Sequence, residues 1–312
     1  MTPVTHVRVD GVVVNREAEL ADEYTRCRAR LIRIAYAILG TRAEAEDVAS
    51  DCWLRLVNAD ARERIEDVEA WATVTVSHAA LDVLRSARVR REEYVGPWLP
   101  EPLVAALPAR EDPAEAVTLH ETVSFAVMVL LETLTPAERT SWALRELFGL
   151  PYDEIAGIVG RSPAAVRQLA TRARAHIAAG APRVRVDAEQ HQEAVTAFTR
   201  AATEGDLAAL LKVLDPDVVP TSDGGGKVTA ARRPVHGPDK VARFLIGIGA
   251  RILPEERVIP IAVNGGPGYA VVNGTRARLV CAFTIHNGLV SRLDFVLSPD
   301  KLNSVAFGPD RR

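Results

Sequence analysis

Six arginines, Arg161, Arg167, Arg172, Arg174, Arg183 and Arg185, fall between Ile155 and Val186, and no carboxylate lies among them. A guanidinium is a planar fork of donors that makes two-point contacts with a guanine edge or a phosphate, and a glutamine carboxamide does the same for adenine. Gln168 stands beside Arg167. The chemistry open to this stretch is recognition of a polyanion rather than the making or breaking of bonds. An ordinary helical hairpin with a solvated arginine face would interleave acids three or four residues away, and here none is present.

The surrounding pattern positions these side chains. Residues 152–159 place Ile155, Ala156, Ile158 and Val159 on one side of a short helix. Gly160 ends it, and Ser162 with Pro163 restarts the chain as N-cap and first-turn residue. Val166, Leu169, Ala170, Ala173 and Ile177 then recur at helical spacing and must face a core. Arg161, Ser162, Arg167, Gln168, Thr171, Arg172 and Arg174 are left outside. Two short helices hinged at a glycine-led turn, with arginine and glutamine outward on the second, predict a helix-turn-helix that enters a DNA major groove.

The whole chain has 312 residues, a length suited to two or three domains, and its formal net charge is −3. Such an acidic body lacks the phosphate-neutralising charge from which much nucleic-acid affinity comes, so another molecule is expected to bring it to DNA. Cys27, Cys52 and Cys281 are far apart and form no Cys/His cluster, which predicts free thiols, with no metal and no cofactor. The N-terminus shows no basic segment followed by an apolar core. The apolar run at 125–131 is too short to cross a bilayer, so a cytoplasmic protein without membrane contact is expected.

Composition divides the chain into blocks. Residues 1–16 are expected to be a mobile arm, 17–91 a helical domain, 92–114 a proline-interrupted linker, 115–180 a second helical domain and 188–302 an α+β domain. In the first helical block, Thr41 and Glu44 have the spacing of a capping box that opens a helix carrying Glu44, Glu46, Asp47 and Asp51. A longer helix has Trp71, Val74, His78, Leu81 and Leu84 as its expected inward stripe and ends in Arg85, Arg88, Arg90 and Arg91. Thr135, Pro136 and Glu138 mark another capped helix start. The last block reads as helices near 188–203, 206–214 and 238–252, then strands at 257–263, 268–273, 276–286 and 289–297, with Asn287-Gly288 as a hairpin turn.

The segments EAEDVASDCWLRL (44–56) and LTPAERTSWALRELFGLPYDEIAGIVGRSPAAVRQLATRARAHI (134–177), on two helical blocks joined by a proline-containing linker, resemble the extracytoplasmic-function (ECF) sigma factors of bacterial RNA polymerase. WLPEP (Trp98, Leu99, Pro100, Glu101, Pro102), DGGGK (Asp223, Gly224, Gly225, Gly226, Lys227) and SPDKL, with Asp300, Lys301 and Leu302, resemble the signature peptides of one ECF group. That group carries a fused SnoaL-like, NTF2-type domain. Ser298 stands where that group's peptide usually has asparagine.

The resemblance implies partners, core RNA polymerase and promoter DNA, and a monomer is its expectation for the free chain. It implies that Glu44, Glu46, Asp47 and Asp51 dock on the polymerase, that Asn58, Arg85, Arg88, Arg90 and Arg91 serve the −10 element, and that the helix-turn-helix reads the −35 element. It further implies that the fused domain regulates the protein in cis. The apolar pair Trp98-Leu99 wants a surface, either its own helical block or the third domain near Asp223–Lys227 and Ser298–Leu302. A one-component regulator with a ligand-sensing NTF2-like domain is the rival reading; it predicts a dimer on a palindromic site. An enzyme would need an acid or base in the third domain, where His286, Asp294 and Asp223 are the candidates. His286 is expected at a wet strand end, and Asp294 at an outward strand position equally well. No residue names a ligand for that domain.

Overall fold

In the computed structural model, residues 6–9, 12–92, 94, 96–106, 123–180, 188–228 and 235–307 are described. The chain divides into two compact units, residues 1–88 with 135–173, and residues 89–134 with 174–312.

The first unit is built on three long helices, α1 (Arg16–Leu39), α2 (Arg42–Asp60) and α3 (Val68–Glu92). In front of them β1 (His6–Val9) and β2 (Val12–Asn15) pair antiparallel, so the segment expected as an arm carries a hairpin. Leu31, Ile34, Ala35 and Ile38 of α1 are buried, as are Val48, Ala49, Cys52 and Leu56 of α2. The buried row of α3 is turned from the expected stripe. Val68, Ala72, Val76 and Ala80 join Leu81, Leu84 and Ala87, while Trp71 and Val74 are half-buried and His78 is exposed. Alanines let the helix approach its neighbours closely, and large side chains then move to the flank. Arg16 ties the start of α1 to Asp60 through Nη2 at 2.8 Å and Nε at 3.1 Å, which holds the Asp60 carboxyl below its ordinary range. The capping box expected at Thr41 is not made to the backbone; the Thr41 hydroxyl donates to the Glu44 carboxylate at 2.6 Å instead.

The same unit holds α5 (Pro136–Trp142), a π-helical turn at Ala143–Leu147, α6 (Tyr152–Val159) and the first part of α7 (Pro163–Gly180). The α5 capping box forms as expected: the Thr135 hydroxyl accepts from the Glu138 amide, and Glu138 accepts from the Thr135 amide. Arg139 of α5 is 1% exposed and donates Nε to the Ala37 carbonyl of α1 at 3.0 Å.

The second unit is centred on a six-stranded sheet. Its strands are β3 (Val104–Ala106), β4 (Leu214–Asp223), β5 (Glu256–Val263), β6 (Gly266–Asn273), β7 (Arg276–His286) and β8 (Leu289–Val296), in the order β3-β5-β6-β7-β8-β4. All pairings are antiparallel except β4 with β8. On one face α8 (Ala188–Glu204), α9 (Leu207–Val213) and α10 (Pro238–Gly249) close a core that includes Phe198, Leu210, Leu245, Phe283 and Phe295.

A second core, made of Ile261, Val263, Ala270, Val272, Val280, Ala282 and Val296 with Leu302 and Val305, takes in Leu99 of the linker and Phe125 of α4 (Phe125–Leu131). The part of the linker expected to stand between domains thus supplies an edge strand, β3, to the third domain's sheet. The Asn287-Gly288 turn forms with φ of 52° and 77°, the pair of positive values that a tight hairpin requires. β4 is a strand the sequence pattern hid, because Pro216 and Pro220 break its alternation and only an edge position tolerates them.

Candidate nucleic-acid interface

Gly160 caps α6 in the left-handed region at φ 71°, and the Ser162 hydroxyl accepts from the Ala165 amide at 3.3 Å to start α7. Ile155, Ala156, Ile158 and Val159 of α6 and Val166, Ala170, Ala173 and Ile177 of α7 are buried. Leu169 is half-buried. Those contacts fix the roll of α7. Arg161, Ser162, Arg167, Gln168, Thr171, Arg172 and Arg174 all stand exposed. The Arg167 guanidinium lies over the Tyr152 ring at 5.1 Å, with Arg145 over the same ring at 4.8 Å. Tyr152 is thus a platform that holds two cations beside the turn, a role the apolar pattern did not reveal. Arg183 and Arg185 lie outside the described residues.

On α2, Asp47 and Asp51 are exposed, and Leu54 projects a 60% exposed side chain from the same helix. Glu46 pairs with Arg42 at 2.8 Å and Asp51 with Arg55 at 3.1 Å, surface pairs worth little and easily exchanged for a partner. Asn58 is exposed and donates to the Leu54 carbonyl at 2.8 Å. Arg85 is exposed and pairs with Asp82 at 3.2 Å. Arg88, Arg90 and Arg91 belong to the last turns of α3, but their side chains lie outside the described residues.

The three signature peptides converge within the second unit. Asp223, with no exposed surface, is the hub. Its carboxylate accepts from Tyr94 Oη at 2.5 Å, the Leu99 amide at 2.8 Å, the Gly225 amide at 2.9 Å and Lys301 Nζ at 2.6 Å. Lys301 also donates to the Leu99 carbonyl, and its ammonium lies 3.2 Å from the Trp98 ring centroid. Burial and the bond to Asp223 push the Tyr94 phenol above its ordinary range, so it stays a donor. Gly225 sits at φ 66°, and a Cβ there would meet Ser298 Oγ at 2.5 Å. Glu101, 5% exposed, accepts from Ser304 Oγ at 3.0 Å. Pro100 and Pro102 are buried, as are Gly224 and Leu302, while Gly226 is exposed. Lys227 and Asp300 pair at 2.8 Å on the surface. Of the two surfaces open to Leu99, the third domain's sheet is the one it covers. Sequence reasoning missed Tyr94, and it missed Asn264, whose carboxamide accepts from the Leu103 amide at 3.0 Å and donates to the Val123 carbonyl at 3.2 Å; Asn264-Gly265 carried the same turn signal as Asn287-Gly288.

The acid and base candidates of the third domain are otherwise engaged. His286 is partly exposed at its strand end, with Nδ1 3.9 Å from Asp215. Asp294 is 1% exposed rather than in water, on the sheet face opposite the side chains of Leu293 and Phe295. Arg292 Nε reaches both its oxygens at 2.8 and 2.9 Å, and burial pushes the Asp294 carboxyl up. On the helix-covered face, the rings of Phe198 and Tyr269 lie 5.0 and 5.7 Å from that of Phe283. Among the described residues no group of three metal-ligating side chains forms, and no helix is long and apolar enough to cross a membrane.

Two helical modules, one presenting a helix-turn-helix, followed by an α+β domain define a DNA-reading protein of the sigma class. Residues 24–90 match the family model described as Sigma-70 region 2, and residues 124–177 match Sigma-70, region 4. The chain is 38% identical to the ECF RNA polymerase sigma factor SigJ of Mycobacterium tuberculosis over 89% of this chain and 92% of that one. It is 34% identical to the probable ECF RNA polymerase sigma factor SigI of the same species, over 88% and 92%. The crystal structure of M. tuberculosis SigJ superposes with a TM-score of 0.72 at 36% identity, covering 90% of this chain and 97% of that one. The chain belongs to the ECF sigma factors, in the SigJ-like group with a fused C-terminal domain.

Proposed function

We propose that the chain joins core RNA polymerase through the exposed acids of α2, Asp47 foremost, and brings it to promoters in the cytoplasm. Arg167, Gln168, Thr171 and Arg172 of α7 read the −35 element, with Arg161, Ser162 and Arg174 at flanking phosphates. Asn58, Arg85 and the arginines ending α3 serve the −10 element. The observation that carries this reading is the partition of α7: Val166, Ala170, Ala173 and Ile177 are buried, Leu169 is half-buried, and every candidate reader is exposed. The fused domain acts in cis by gripping the linker through Asp223 and Lys301, and not as an enzyme. The engagement of Asp223 and Asp294 in ion pairs and hydrogen bonds supports that part.

Run-off transcription with purified core polymerase tests the reading. Asp47→Arg should lower transcription and polymerase pull-down together, while binding of the isolated variant to promoter duplex stays as weak as that of the parent chain. Tight, specific duplex binding without polymerase would reject the proposal.

A further inference from the structure

The two helical modules of the first unit touch where Arg139 of α5 reaches the Ala37 carbonyl of α1. Along the same seam lies a cleft of about 310 Å³, at the low end of the size of small-molecule sites. Its first wall carries Arg30 of α1 and, at the start of α3, Asp67 and Glu69; the second carries Glu154 in the first turn of α6. Three carboxylates from two modules thus share one cleft. The Arg30 guanidinium is engaged by Glu69 at 2.6 Å. Asp67 Oδ1 accepts from the Ala70 amide at 2.8 Å and so caps α3. Among the described residues no cation stands within ion-pair reach of Asp67 or Glu154. Closing the seam gathers like charges, which costs free energy unless a cation stands between them.

The most buried residue lining the cleft is Thr73, 4% exposed, and its hydroxyl has no hydrogen-bond partner among the described residues. A buried hydroxyl is costly to leave unpaired, so it marks a place for a polar ligand atom. Phe148, half-buried, and Leu150, 5% exposed, add an apolar wall. These groups select the ligand. Carboxylates and a hydroxyl oxygen accept, so the ligand donates and carries positive charge. A metal ion does not suit, since no three metal-ligating side chains come together among the described residues. Two carboxylates without a cation, beside an apolar wall, suit two ammonium groups joined by methylenes.

We propose that the seam binds a linear aliphatic diamine or polyamine. One ammonium lies against Glu154 and another against Asp67; Thr73 accepts from one of them, and the methylenes pack on Phe148 and Leu150. A ligand held by both modules stabilises their contact by linkage. The consequence rests on reading α3 and α7 as the −10 and −35 modules. Elements about 25 base pairs apart are separated by roughly 85 Å of B-DNA, at about 3.4 Å per pair. A compact unit of this length is about 35 Å across. The modules must part before both elements are read, and the ligand opposes that step.

Calorimetric titration of the full chain tests the site, with spermidine and 1,4-diaminobutane as probes. Butylamine is the one-ended control, and magnesium chloride the control for screening. Both probes should bind saturably at one site, and butylamine about tenfold more weakly or worse. Asp67→Asn, which keeps the cap, and Glu154→Gln should each weaken spermidine about tenfold or more. Thr73→Val, of the same shape, should weaken it about threefold to tenfold. Equal binding of butylamine, an equal response to magnesium, or parent-like affinity in any of the three variants would overturn the proposal. The bridging step is read from promoter-complex formation with core polymerase, with and without spermidine at ten times the parent's dissociation constant. The parent complex should weaken about tenfold, and that of Glu154→Gln less than about threefold. Spermidine also binds DNA, but that contribution is common to both proteins. Equal weakening in both would overturn the bridging. No promoter complex at all, beside a titration as expected, would reject the reading of the modules and uphold the site.

Discussion

At Arg167 two demands meet in one side chain. Its guanidinium lies over Tyr152 at 5.1 Å, yet the residue is exposed and free to reach a groove. Stacking on a ring narrows the orientations of the fork before DNA arrives, which lowers the entropy lost on binding. Gln168, one residue on, has no such platform. Replacing either by alanine should cost about 1–3 kcal/mol in promoter affinity and relax base preference at one position. Competition binding by the polymerase–sigma complex on templates with each −35 base varied would measure both. Tyr152→Leu should weaken binding less than Arg167→Ala, because it removes the platform and leaves the fork. Equal loss on every template for Arg167→Ala would show a phosphate contact rather than a base reader.

At the scale of elements, two glycines in the left-handed region separate backbone strain from packing. Gly160, at φ 71°, has open space where a Cβ would stand. Gly160→Ala should cost only the left-handed conformation, about 1–2 kcal/mol, read as a modest fall in melting temperature. Gly225, at φ 66°, would drive its Cβ to 2.5 Å from Ser298 Oγ, against the loop that holds Asp223. Gly225→Ala should therefore cost clearly more and should expose the linker to protease, whereas Gly160→Ala should not. The same contrast shows what could be read in advance. The helix-turn-helix was legible because its signals are local: a periodic stripe, a glycine stop and a serine start. The inward row of α3 was misread because alanines carry little hydrophobic signal, though close helix approach favours them. β3 and β4 escaped because their pairing partners lie far away in the chain, and the prolines of β4 argue against a strand unless its edge position is known. Asp223 was legible as part of a signature peptide; its four donors, drawn from three separate segments, were not.

For the molecule as a whole, the linker's burial alters how the fused domain can be studied. Leu99 and Phe125, with Val104 and Val129 beside them, share a core with β5, β6, β7 and β8, so a chain ending near residue 180 strips the cover from that apolar surface. Such a truncation removes the fused domain and half of a core at once. It should yield a chain that associates or is cleaved within 94–134, and a change in its transcription could not be assigned to regulation. A point change in the full chain separates the two effects. Lys301 is 5% exposed and neutralises an Asp223 that has no exposed surface. Lys301→Met leaves that carboxylate buried without its ion-pair partner, a loss of about 3–5 kcal/mol. Because the same ammonium holds the Leu99 carbonyl and faces Trp98, the loss falls on linker docking first. If local opening limits cleavage, proteolysis of residues 94–106 should accelerate by roughly 10²–10⁴-fold while the sheet core stays protected. Adding Asp223→Asn to Lys301→Met should restore part of the protection, since the buried charge is then gone. Cleavage in Lys301→Met at the parent rate would show that the linker is held by apolar burial alone, and would remove the Asp223–Lys301 pair from any part in regulation.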